Sequence, residues 1–144
     1  MVGLQGAGKS RWVAQHLAGT HAVVSKDHWP RARRREARQQ RVVAEQLAAG
    51  RSVVVDNTNA SPAERAPLIA LARSAGVPVR AVWLDTPLEL CRERNDARPE
   101  ATRVPPVGLH AAVARFVPPT TDEGFARVDV VRPGAPGAPG PAVR

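Results

Sequence analysis

GLQGAGKS, residues 3–10, fits the spacing G-x-x-x-x-G-K-[ST] of a loop that cradles phosphate. In such a loop the glycines permit a tight turn whose amides converge on phosphate oxygens, and the N-terminus of the helix that follows adds positive potential. The pattern assigns Gly3, Gly6, Ala7, Gly8, Lys9, Ser10 and Arg11 to nucleotide binding, with Lys9 on the outer phosphates and Ser10 holding Mg²⁺. A buried strand normally leads into this loop, yet only Met1 and Val2 precede it here. That strand is usually central in its sheet. The first strand therefore reads as cut short, with Met1 an internal residue and the native start upstream; the alternative is a short but serviceable strand.

Outward from the loop, apolar strands alternate with amphipathic helices. Residues 9–18 read as a helix, with Trp12, Val13, His16 and Leu17 at helical spacing, and residues 22–25 as a strand that delivers Lys26 and Asp27. Residues 31–49 form the next predicted helix, closed by Gly50, and the apolar run 52–55 ends in Asp56, Asn57, Thr58 and Asn59. Ser61-Pro62-Ala63-Glu64 supplies an N-cap, a proline at the first helical position and a glutamate three residues on, starting a helix to Ala75 with Gly76 as its stop. A strand over 79–84 ends at Asp85. The TPLE of residues 86–89 repeats the capping signature for a helix that yields before Pro99. A short helix over 107–116 and a strand over 128–131 complete the pattern. This alternation predicts an α/β fold with a parallel sheet covered on both faces, whose ligands bind beyond the carboxyl ends of the strands. The phosphate loop, Asp27, Asp56–Asn59 and Asp85 all follow strand ends and should share one rim.

A chain of 144 residues has room for one such domain, assigned to residues 1–132, and none for a second catalytic one. Residues 133–144, PGAPGAPGPAVR, are too poor in apolar side chains to join a core and read as a disordered tail. The single cysteine, Cys91, excludes an intrachain disulfide framework, and neither a signal segment nor a membrane-spanning run is present, so the expected location is cytoplasmic. The net charge of +8 points to polyanionic partners, but it is carried almost entirely by arginine in an alanine-rich chain without tyrosine, a bias of composition. Lysine survives that bias only at Lys9 and Lys26.

Asp27, at a strand end facing the γ-phosphate, has the chemistry of a general base toward an attacking hydroxyl; a helix cap or a ligand to a metal-bound water is the alternative. Asp56 is a strand-end carboxylate able to orient the water shell of a metal, and Thr58 and Asn59 add polar groups at the same rim, although an Asx turn would also explain Asn59. Arg94 and Arg98, four apart, share a helix face and are placed to neutralise charge on a transferring group, unless they form a plain exposed arginine face. Arg31, Arg33, Arg34, Arg35, Arg38 and Arg41 read as a solvated face in preference to a nucleic-acid track. His28, His110 and Cys91 have no metal-ligand spacing and read as structural.

The ordered set GLQGAGKS, SKD (25–27), VVVDNTN (53–59), AGVPVRAVWLDTPLE (75–89), RNDAR (94–98) and PPTTDEGF (118–125) resembles the kinase module of polynucleotide kinases, which phosphorylate 5′-hydroxyl ends. The resemblance implies a three-layer P-loop kinase fold of about five parallel strands. It further implies that Lys9 and Ser10 bind ATP and Mg²⁺, that Asp27 is the general base, that Asp56 lies on the acceptor side, and that Arg94 and Arg98 form a lid. Pro30, with Arg31 beside it, stands where the phage relative has an arginine that holds the nucleic-acid strand, which leaves the acceptor open. No D-x-D-x-T phosphatase motif occurs, so 3′-phosphatase activity is not expected.

The expected activity is transfer of the γ-phosphoryl group of ATP to a hydroxyl, in the first reading the 5′-hydroxyl of a polynucleotide. In that reading Lys9, Asp27, Arg94 and Arg98 are catalytic, and Asp27, Asp56, Thr58 and Asn59 contact substrate. The alternatives are a kinase of a small alcohol such as a sugar acid or nucleoside, and an ATP-binding regulator without catalysis.

Overall fold

Two of the strands, residues 22–24 and 53–55, are short apolar runs ended by the polar Ser25 and Asp56. In the computed structural model, which describes residues 1–132, β1 (Ala22–Val24) pairs in parallel with β2 (Val53–Val55), and β3 (Arg80–Leu84) pairs in parallel with β4 (Arg127–Val131). The register sets Val24 opposite Val55 and Leu84 opposite Val131. The tail expected to be disordered, residues 133–144, lies outside the described residues.

Met1 to Gly3 join the two pairs. The Met1 amine donates to the Val55 carbonyl at 2.9 Å. Val2 donates to Val82 at 2.8 Å and accepts from Leu84 at 2.9 Å, and the Gly3 amide donates to Thr58 at 3.1 Å. The order is therefore β1, β2, the Met1–Gly3 stub, β3, β4, with the stub reduced to a single parallel bridge between Val2 and Trp83. Burial of the Met1 amine lowers its pKa to about 5, because the charged form loses its water.

Helices cover both faces. From α1 (Lys9–His16), Trp12 and Val13 pack with Leu17 against Val54, Val82 and Leu84, and Cys91 of α4 (Leu88–Asp96) joins the same cluster. Ala81 turns the other way, with Val2, toward Ile69 of α3 (Pro62–Ser74) and Phe125. This is the period-two alternation of a sheet buried on both sides. α2 (Arg35–Ala48) lies against β1, β2 and α3, and α5 (Pro106–Arg115) ends in Phe116, which packs with Trp83. Among the described residues no helix is long and apolar enough to cross a membrane.

Several local expectations need correction. The helix predicted from residue 31 begins at Arg35, because Arg34 adopts a left-handed conformation (φ 54°) that interrupts helical hydrogen bonding. The Ser61 cap forms as read, its side chain accepting from the Glu64 amide at 3.3 Å while Glu64 accepts from the Ala60 amide at 2.7 Å. Thr86 does not cap α4, despite the matching TPLE pattern; its hydroxyl is spent on the phosphate loop. The helix carrying RNDAR ends at Asp96, so Arg94 lies on α4 and Arg98 in the turn beyond it; Pro99 disfavours helix at the residue before it.

Candidate active site

The phosphate loop needs backbone that side chains disfavour. Gly6 and Gly8 have φ of 81° and 98°, in the left-handed region. Space is short as well: a Cβ on Gly6 would stand 2.4 Å from the Cys91 carbonyl oxygen, so α4 backbone rests directly on the loop. Thr86 donates from its buried hydroxyl to the Ala7 carbonyl at 2.8 Å. Arg94 reaches the same stretch, with Nη1 3.4 Å from the carbonyls of Gly6 and Ala7.

Lys9 folds back over the loop, donating from Nζ to Gly3 at 2.8 Å and to Leu4 at 2.9 Å. Its pKa is lowered to about 8, mainly by burial, with Asp56 opposing the shift and Arg98 adding to it. Arg11 is exposed on α1. Cys91 is buried beneath the loop, and burial raises its pKa, which disfavours a reactive thiolate.

Ser10 Oγ donates to Asp56 Oδ2 at 2.6 Å, uniting the loop with the end of β2. Asp56 is only 8% exposed. A hydroxyl and a carboxylate held together beside a phosphate loop are hard oxygen groups of the kind Mg²⁺ prefers. The same cleft, of about 250 Å³, is lined by the polar Ser25, Asp27 and His28 and by the apolar Val13, Ala14, Ala18 and Val23. Asp27 is exposed on a 3₁₀ turn, Lys26–His28, whose start is fixed by the Ser25 side chain accepting from the Asp27 amide at 3.2 Å. Asn57 braces that turn by accepting from the Lys26 amide at 3.0 Å.

The structure therefore brings Ser10, Asp27 and Asp56 to one cleft, with Lys9 and Arg94 at the neighbouring loop and Arg98 in the turn after α4. Asn59 is withdrawn from the rim: it is 7% exposed, and its side-chain amide donates to the Met1 carbonyl at 2.8 Å. Thr58 is half-buried, its carbonyl engaged by Gly3. Asp85 is paired with Arg132 at 3.1 Å and does not border the cleft. His28, read as structural, does border it. Sequence reasoning missed Ser25, Thr86 and the cleft's apolar side, although Val13, Ala14 and Ala18 follow Ser10 at helical spacing and that signal was legible. It also missed Arg65, a 2% exposed guanidinium bound through Nε and Nη2 to Glu123 at 2.8 and 3.0 Å and through Nη1 to the carbonyls of Asn59 and Val117. That pair explains the PPTTDEGF segment as a brace behind the Asp56–Asn59 loop.

Comparison with known proteins agrees with this architecture. Residues 1–119 match the family model described as an AAA domain. The bifunctional polynucleotide phosphatase/kinase of Schizosaccharomyces pombe is 33% identical over 90 residues, 60% of this chain and 22% of that protein. The chain thus spans about a fifth of the curated relative it matches. Among solved structures, a sugar kinase from Janibacter superposes with a TM-score of 0.64 at 19% identity, covering 91% of this chain and 82% of that one. Kti12 of Chaetomium thermophilum, in complex with ADP-AlF3, gives 0.64 at 15% identity over 92% and 87%. The APS kinase CysC of Mycobacterium tuberculosis, with AMPPNP and APS, gives 0.57 at 20% identity over 93% and 86%. These structural likenesses show the fold. The chain belongs to the AAA domain family and has a P-loop kinase fold similar to the kinase module of polynucleotide kinases.

Proposed function

We propose that this member of the AAA domain family is an ATP-dependent kinase whose acceptor is the 5′-hydroxyl end of a polynucleotide, with residues 1–132 as its catalytic unit. The observation that carries this reading is the cleft in which exposed Asp27 borders the same space as the Ser10–Asp56 pair, beside the phosphate loop. A carboxylate left exposed next to a phosphate site is a proton acceptor waiting for a hydroxyl.

The residues fit a magnesium-bound triphosphate. Left-handed glycines present the loop amides, and a Cβ on Gly8 would stand 3.4 Å from Arg94 Nη1, so the space over the loop already has a cation beside it. When bound, Mg-ATP supplies the phosphoryl group together with the metal's counter-charge. Loop amides and Lys9 hold the phosphates, and Ser10 with Asp56 orients the metal and its water. Asp27 takes the acceptor's proton at its carboxylate, while Arg94 and Arg98 neutralise charge on the transferring group. Thr58 remains at the acceptor side of the rim.

The choice of a polynucleotide over a small alcohol is supported by the relative whose name carries that activity. The test is a mass measurement on a short single-stranded oligonucleotide with a 5′-hydroxyl, incubated with the protein and Mg-ATP, with Asp27→Asn as control. A gain of one phosphate that disappears in the variant supports acceptor and base together. Phosphorylation of a sugar or free nucleoside alone would overturn the acceptor, and full activity in Asp27→Asn would overturn the base.

A further inference from the structure

The lining of the acceptor cleft is of two chemical kinds, and the mechanism uses only one. Besides the polar Ser10, Ser25, Asp27, His28 and Asp56, the lining is Val13 and Ala14 on α1, Ala18 just after it, and Val23 on β1. Ala14 and Ala18 are exposed, and their small side chains keep this part of the groove open. The cleft's volume of about 250 Å³ lies below the roughly 300–1,000 Å³ of pockets that enclose a whole ligand, so it takes one unit of a larger acceptor.

An apolar wall discriminates by what it leaves unpaired. A polyhydroxylated unit placed there would lose water from hydroxyls to which Val13, Ala14, Ala18 and Val23 side chains offer no hydrogen bond. A flat aromatic ring loses nothing of the kind, because its π face needs only contact. Resting on the polynucleotide reading above, we infer that Val13, Ala14, Ala18 and Val23 form a base shelf: the nucleobase of the acceptor's terminal residue lies on it while that residue's hydroxyl meets Asp27. Ala14 and Ala18 then set the depth of the shelf and are specificity residues, without touching the nucleotide that donates the phosphate.

The experiment compares two 5′-hydroxyl oligonucleotides, one intact and one whose terminal residue is abasic, on the wild-type chain and on Ala14→Leu and Ala18→Leu. Ala14 is an exposed helical position, where leucine is well tolerated, and Ala18 is an exposed turn residue just after α1; unchanged ATP affinity in each variant reports an intact fold. On the wild type the abasic acceptor should show a KM raised roughly tenfold or more with kcat little changed, the value of one stacked base. In the leucine variants KM for the intact acceptor should rise toward that of the abasic one, and the abasic acceptor should be little affected. Equal use of both acceptors by the wild type would overturn the shelf and leave the kinase reading standing. Leucine variants that still prefer the intact acceptor as strongly as the wild type would also overturn it. Failure of both oligonucleotides, with transfer to a small alcohol, would overturn the polynucleotide reading and the shelf together.

Discussion

Ser10 Oγ donates to Asp56 Oδ2 across 2.6 Å, although the two residues are 46 positions apart. The bond positions the buried carboxylate, and the helix-terminal hydroxyl turns toward it. On the proposed mechanism, replacing Asp56 by alanine removes the group that orients both the serine and the metal's water shell. Outer-shell groups of this kind typically account for roughly 10–100-fold in metal affinity or activity. In Asp56→Ala the Mg²⁺ concentration giving half-maximal phosphoryl transfer should rise by about that factor, read from turnover against Mg²⁺; an unchanged midpoint would remove Asp56 from the metal site.

With Lys9 on the phosphates, as proposed, nucleotide affinity should depend on pH. Burial lowers its pKa to about 8 in the free protein, whereas bound phosphates favour the ammonium and raise it. Binding therefore takes up a proton above pH 8 and none well below it, so affinity is complete at lower pH and is lost as pH rises through 8. The dissociation constant for ATP should be flat between about pH 7 and 7.5 and about tenfold weaker at pH 9 by linkage. Calorimetric titration across that range checks it, and Lys9→Arg should show no such slope, because arginine keeps its proton.

Gly6 cannot accept a methyl group. Its φ of 81° is unfavourable for alanine, and the added Cβ would lie 2.4 Å from the backbone oxygen of Cys91, which cannot swing away like a side chain. Gly6→Ala should lose about 1–3 kcal/mol of stability by urea unfolding, the range of overpacking and backbone strain. ATP binding should weaken with it, since α4 must move off the loop.

Arg65 and Glu123 form a pair with 2% and 14% of their side chains exposed. Truncating one member of a buried pair leaves the other without compensation and costs about 3–5 kcal/mol. Arg65→Ala also frees the carbonyls of Asn59 and Val117, so its loss in denaturant unfolding should lie at the upper end. The double variant Arg65→Met, Glu123→Leu should recover part of that loss, which separates the buried charge from the lost packing.

Local structure was largely legible. The Ser61 side-chain cap, the loop glycines and the stops at Gly50 and Gly76 all act through residues within one helical turn, and all appear where the sequence puts them. The failures are equally instructive. TPLE carries the same local signature as SPAE, but the Thr86 hydroxyl has a buried carbonyl at Ala7 to satisfy, and that long-range bond wins over the cap. Asn59 looks like a rim residue until the Met1 carbonyl, left by a one-bridge central strand, claims its amide.

The sequence by itself determined that a phosphate loop opens an α/β chain and that Asp27 and Asp56 stand at strand ends, because hydrophobic period and turn chemistry are properties of neighbouring residues. Only the tertiary structure decided that Ser10 bonds Asp56, that Arg65 clasps Glu123 58 positions away, and that four small apolar side chains wall the cleft beside Asp27. A side chain's partner is chosen when the sheet closes and buries its polar groups, and each buried group must then find whichever complement the fold has brought within reach.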